Sequence, residues 1–362
     1  MWAQSTVGPR RLGTAFFSFA ALFALSAGPV VLAGGPPPAV DPAASGPSPQ
    51  AYVVGRSGQV QVVDTVRGEV LATARTGGRT TGIAVAPDGG RVYVVNGWTG
   101  VITAIDPVSG AVVGRLETGA QLAQAVMRPD GQRLYVTGNS SDGGTVVVVD
   151  PTTFTLAAVV PIGGQVQGIA ISPDGRMLYV AGAQDGTVAL VDALTLTRRA
   201  TVEVGGMPQH VAVSPDGSTL YASVLHIGAR RASAGLVVVD AKRRTRLAEI
   251  PVGRGAGGVA VTPDGSRVYV ALTGQRAVAV VDTTTRALLR TLPYDARGLS
   301  NAPGDRRIFL ATGSTTTVLD GSDDTELARF DLDEAELPGI TGRPTAFEAT
   351  MVAFAPTPPH PG

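Results

Sequence analysis

The tripeptide Pro-Asp-Gly recurs along the chain, at Pro87-Asp88-Gly89, Pro129-Asp130-Gly131, Pro173-Asp174-Gly175, Pro215-Asp216-Gly217 and Pro263-Asp264-Gly265. Each copy follows a short run rich in Val, Ala and Ile, and each precedes Val-Tyr or Leu-Tyr. The physical content is a hairpin. Proline presets φ for a turn, aspartate bonds its own backbone, and glycine takes the positive φ that other residues resist. Alternating β-branched residues on either side are strand material. A chain built on such a unit folds by stacking copies of it, so counting the copies comes before any other reading.

Two further markers count them. An aspartate closes an apolar run at Asp64, Asp106, Asp150, Asp192, Asp240, Asp282 and Asp320, at intervals of 38 to 48 residues. An aromatic residue holds one place in each unit: Tyr52, Tyr93, Tyr135, Tyr179, Tyr221, Tyr269 and Phe309. Such a residue is expected to pack between neighbouring sheets. The second unit shows four β segments, at residues 82–86, 91–95, 101–105 and 111–117, here called strands a to d. Seven such units predict an all-β fold: a single seven-bladed β-propeller of four-stranded antiparallel blades.

The first unit begins at strand b, with Ala51-Tyr52-Val53-Val54. Its missing strand a is found at the other end, where Thr350-Met351-Val352-Ala353-Phe354-Ala355-Pro356 repeats the pattern of Gly82-Ile83-Ala84-Val85-Ala86-Pro87. The C-terminal strand is therefore expected to complete the first blade and close the ring. Closure removes the sheet edges that recruit other chains, which predicts a monomer.

The recurring Ser-Pro-Asp-Gly with Leu-Tyr-Val, the Val-Val-Asp-Pro strand ends and the Val-Gly-Gly blade starts resemble the YVTN-repeat family of β-propellers. The resemblance covers residues 50–356. It implies the propeller fold and an exported protein; roles in that superfamily include binding partners or DNA, surface-layer display and hosting redox cofactors. The seventh unit departs from the pattern, with Ala302-Pro303-Gly304-Asp305 in place of Pro-Asp-Gly.

The first residues read as a targeting segment. Arg10 and Arg11 precede an apolar run from Leu12 to Leu25, and Val31-Leu32-Ala33 offers small residues before a cut. The expected division is a signal peptide over 1–33, a Pro/Ala/Gly-rich linker over 34–49, the propeller over 50–356 and a tail over 357–362. Export to the periplasm or beyond follows if the segment is cleaved; a membrane anchor is the alternative.

Composition narrows the chemistry. The formal net charge of +0 promises no basic face for specific nucleic-acid binding. The absence of cysteine excludes disulfides, thiolate metal sites and Cys-x-x-Cys-His haem attachment. Gly253-Arg254-Gly255-Ala256-Gly257-Gly258 matches a dinucleotide pattern but leads into a strand and turn, without the helix that gives the pattern meaning.

A propeller places its b–c and d–a connections on one face, where the channel mouth collects a loop from every blade. Arg79, Gln121, Gln165, Gln167, Gln209 and Arg254 each stand near the start of a strand a. The fifth unit carries a longer b–c loop with His226, Arg230 and Arg231, and His210 is read as the start of its strand a, so all four are expected toward the same face. These residues are candidates for binding a polar or anionic ligand. His210 and His226 with Asp185 of the preceding unit form the one candidate metal set, against the plainer reading of a channel-lining histidine beside a solvated basic loop. The sequence thus favours an exported, non-catalytic scaffold binding a partner protein or a small polar or anionic ligand, with no cofactor. The alternative is a propeller enzyme, either a lactonase- or lyase-like hydrolase or part of a periplasmic redox system.

Overall fold

The computed structural model describes residues 50–55, 58–228, 232–301, 305–313, 315–331 and 349–353. The signal segment, the linker and the C-terminal tail lie outside these residues, as do Arg230 and Arg231. Twenty-eight strands form seven four-stranded antiparallel sheets, and no helix occurs among the described residues. Six blades run in sequence order. The first is assembled from both ends of the chain: Ala349–Ala353 pairs with Gln50–Gly55, followed by Gln59–Asp64 and Val70–Arg75.

The turn chemistry explains why the repeats fold alike. In each Pro-Asp-Gly turn the glycine N–H donates to the carbonyl three residues back, and the glycine φ lies between 68° and 73°. The strand-end aspartates do more than mark the units. Asp150 Oδ1 accepts the backbone N–H groups of Thr152 and Thr153 at 2.9 and 3.2 Å, and Asp64, Asp106, Asp192 and Asp240 do the same in their own c–d turns; Asp282 caps the Thr285 N–H and Asp320 the Ser322 N–H. Four residues past each aspartate the chain takes a positive φ, at Gly68, Gly110, Phe154, Leu196, Arg244, Arg286 and Asp324. The c–d register shifts just beyond this residue in every blade, so the aspartate cap and a left-handed residue together build a bulged hairpin.

Seven apolar clusters hold the blades together, each shared by two neighbours. One joins Val53 and Val63 of the first blade to Phe309 and Val318 of the seventh, which closes the ring. The strand-b aromatics are all buried within these layers. Several also tie blade to blade: the Tyr135 hydroxyl donates to the Ala193 carbonyl at 2.7 Å, and that of Tyr269 donates to the buried carboxylate of Asp324. Burying a large ring while satisfying its polar end is what suits tyrosine to this place.

Candidate functional site

The seven strands a neighbour one another around the axis. Their starting ends, with the b–c turns, surround a cavity of about 850 Å³ to which every blade contributes. Arg79 of the second blade, Arg297 of the seventh and Gln121 of the third are exposed at its rim, with Trp98 beside them. Deeper in the wall stand Gln124, Gln167, Gln209 and His210, all partly buried. No Asp or Glu lines the cavity, and neither arginine has an ion-pair partner among the described residues. The site carries positive charge at its mouth and neutral donors and acceptors below.

Backbone bulges aim these side chains inward. The a–b register slips between Leu122 and Ala125, between Val166 and Ile169, and between Pro208 and His210. A bulge turns a residue off the regular alternation, here toward the axis. Buried strand-b hydroxyls secure the displaced backbone. Thr137 Oγ1 accepts the Gln124 N–H at 3.0 Å and donates to the Gln167 carbonyl of the next blade at 2.6 Å. Ser223 Oγ accepts the His210 N–H at 3.3 Å and donates to the Gly257 carbonyl at 2.8 Å. Each hydroxyl therefore ties one blade's bulge to its neighbour.

His210 lies in mid-strand, within Met207–Val213. Burial pushes its pKa down to about 4, so the ring is neutral at pH 7. Its Nδ1 lies 2.8 Å from Gln124 Nε2. No charged group contributes to that shift.

Of the residues singled out from the sequence, Arg79, Gln121, Gln167, Gln209 and His210 meet in this cavity. Arg254 and Gln165 are exposed and do not line it. The expectation that His210 and His226 converge is corrected. The extra residues of the fifth unit lengthen its b–c hairpin, whose strands Thr219–Ile227 and Ala232–Asp240 pair His226 with Ser233. His226 then turns to the outer strand of its own blade, with Nε2 2.6 Å from Glu249 Oε1, while Arg246 bonds the other carboxylate oxygen. The Asp185 carboxylate lies over Gly164, where a Cβ would stand 2.5 Å from it. The candidate metal set is thus dispersed, and no group of three metal-ligating side chains occurs among the described residues.

Arg297 and Gln124 are among the lining residues that the sequence reading did not single out. Arg297 belongs to the irregular seventh unit, where no Pro-Asp-Gly fixes the frame. Gln124 was legible: it stands five residues before Pro129, as His210 stands before Pro215.

Comparison with known proteins places the fold among others. The cytochrome D1 heme domain family matches residues 129–251, less than half of the chain. No curated protein sequence matches. Among solved structures, Kuenenia stuttgartiensis hydrazine synthase is 17% identical with a TM-score of 0.66, covering 73% of this chain and 90% of that one. A functionally unknown protein from Desulfotomaculum acetoxidans DSM 771 has the same identity and TM-score over 85% of this chain and 99% of its own. The dihydro-heme d1 dehydrogenase NirN in complex with DHE is 14% identical with a TM-score of 0.60, over 84% and 75%. At these identities the likeness is one of fold.

Proposed function

We propose that this chain is an exported β-propeller of the YVTN-repeat kind that binds a small anionic ligand in its axial cavity without transforming it. The observation that carries this reading is the wall itself. Two arginines, several amides and a neutral imidazole converge on about 850 Å³, and no carboxylate lines that space. A guanidinium presents a planar fork of donors that matches a carboxylate, and the amides supply neutral partners for the rest of a ligand. The leading segment with Arg10, Arg11 and the apolar run supports export.

The test is titration calorimetry of the purified protein with mono-, di- and tricarboxylates and with phosphate, repeated on an Arg79→Ala/Arg297→Ala double variant. Carboxylates are expected to bind the parent protein and to raise its melting temperature, and the variant is expected to lose both effects. Millimolar carboxylate without binding, or binding that the double variant keeps, overturns the reading.

The match to the cytochrome D1 heme domain family motivates a second reading, a redox-related propeller holding a tetrapyrrole. The wall suits the carboxylates of such a group but offers its iron no ready ligand. Gln124 donates to Nδ1 of His210, the one histidine in the wall, so the imidazole hydrogen sits on Nε2 and blocks the lone pair a metal needs. The residues present therefore do not fit a haem-ligating site.

A further inference from the structure

The inner rung of the cavity has a composition that turn and packing chemistry leave unexplained. Counting back five residues from each Pro-Asp-Gly gives Gly82, Gln124, Gly168, His210 and Gly258. At Gly82 and Gly168 the missing Cβ lets neighbouring strands draw together at the axis. A Cβ on Gly168 would fall 2.7 Å from the His210 Cα and 3.2 Å from Gln124 Oε1. Over that gap two long side chains from the third and fifth blades meet. Gln124 Nε2 reaches His210 Nδ1 at 2.8 Å, and Gln124 Oε1 accepts the Ile169 N–H of the intervening blade at 3.4 Å.

This bridge sets the tautomer of the ring. The Ile169 N–H requires an acceptor, which fixes Oε1 on its side and leaves the amide nitrogen facing the imidazole. An amide nitrogen only donates, so Nδ1 accepts and the single ring hydrogen stands on Nε2. Nε2 has no protein partner among the described residues, and His210 lines the cavity. It is an unused donor in the cavity wall.

Charge and neutrality occupy different arcs of that wall. The arginines belong to the second and seventh blades, on either side of the first, whereas the Gln124–His210 bridge spans the third to the fifth. We propose that His210 is a recognition residue, with Gln124 as its positioning residue. Its Nε2–H serves an uncharged oxygen acceptor on a ligand whose carboxylate is held by Arg79 and Arg297. The ligand class is therefore a molecule with one anionic end and one neutral carbonyl- or ester-bearing end. This rests on the reading of the cavity as an anion site. The depth of the wall favours a neutral group because a second carboxylate there would be buried without a cation.

The probes are monomethyl adipate and octanoate, titrated into the protein at pH 7; each carries one carboxylate, and only the first carries a neutral carbonyl at its far end. The monoester is expected to bind about tenfold more tightly than octanoate, as one well-made hydrogen bond to its carbonyl implies. His210→Leu is expected to erase that preference, His210→Gln to keep it by offering another neutral donor, and Arg79→Ala to weaken both probes alike. If neither probe binds, the anion reading fails and takes this inference with it. If both bind but His210→Leu leaves their ratio unchanged, only this inference falls. A measurement independent of any ligand checks the geometry. The chain has three histidines, so nitrogen-15 spectra of labelled protein resolve each ring. The His210 ring is expected neutral with its hydrogen on Nε2 at pH 7, and Gln124→Leu is expected to allow both tautomers while Gln124→Asn keeps one. A hydrogen on Nδ1 in the parent protein, or a tautomer indifferent to Gln124, overturns the proposal.

Discussion

Truncating the chain after Glu348 removes the strand that closes the ring, and the structure sets the size of the effect. Ala349–Ala353 pairs with Gln50–Gly55 at four positions: Tyr52 with Ala353, Val53 with Val352, Val54 with Met351 and Gly55 with Ala349. Losing about one backbone hydrogen bond per pair, at roughly 1 kcal/mol net each, costs about 4 kcal/mol. Met351 and Ala353 also pack on the cluster of Tyr52, Val54 and Val94. Exposing that surface adds about 1–2 kcal/mol, since both residues are only partly buried. The sum, about 5–6 kcal/mol, approaches the whole stability of many domains. At about 2 °C per kcal/mol for a chain of this size, the melting temperature falls by about 10 °C. The unpaired edge at Tyr52–Gly55 becomes a template for other chains, so the truncated protein is also expected to self-associate. Differential scanning calorimetry and gel filtration read both effects. A synthetic peptide of residues 349–356, added in excess, is expected to restore the melting temperature by strand addition. A truncated protein that melts with the parent, or that the peptide does not rescue, would refute the closure argument.

Three other outcomes follow from particular contacts. Asp324, whose side chain is 1% exposed, takes the Tyr269 hydroxyl and stands 3.2 Å from both Arg267 Nη1 and Arg290 Nε; Asp324→Ala strands the mostly buried Arg267 and is expected to cost about 3–5 kcal/mol in denaturant titration, with Asp324→Asn milder. His210 has a folded pKa depressed to about 4, so its contribution to stability is complete above its ordinary value of 6.5 and is lost as pH falls toward 4; about 3 kcal/mol is at stake, and His210→Gln is expected to flatten the melting profile in that window alone. Asp192 and Asp216 are held down to about 2, the first chiefly by the Thr195 N–H and Arg199, the second chiefly by the Ser214 hydroxyl. Their contribution is present above the ordinary value of 3.8 and disappears as pH falls toward 2, so a second loss is expected below pH 4, reduced in an Asp192→Asn/Asp216→Asn variant.

The architecture was legible because its causes are local. Pro-Asp-Gly and the strand-end aspartate each act within a few residues, and a local rule repeated in blade after blade writes itself into the spacing, with the strand-b aromatic marking the same period. The strand limits followed closely: residues 101–105 of the second unit form Val101–Ile105, and residues 111–117 form Val112–Glu117. The site was only partly legible. His210 and His226 are neighbours in sequence and blade, yet the hairpin they flank extends outward, and side-chain alternation carries His226 to Glu249. The residue that His210 does meet, Gln124, lies 86 positions away. Nothing in either strand alone announces that pairing. The signal lies in a third blade, where Gly168 leaves the space between them. In a repeat fold the informative position is therefore the rung on which the repeats disagree. Where packing requires only a close approach, glycine suffices, as at Gly82 and Gly168. Where the same rung carries Gln124 and His210, the chain gives up that fit to place polar atoms at the axis, a departure that packing alone does not explain.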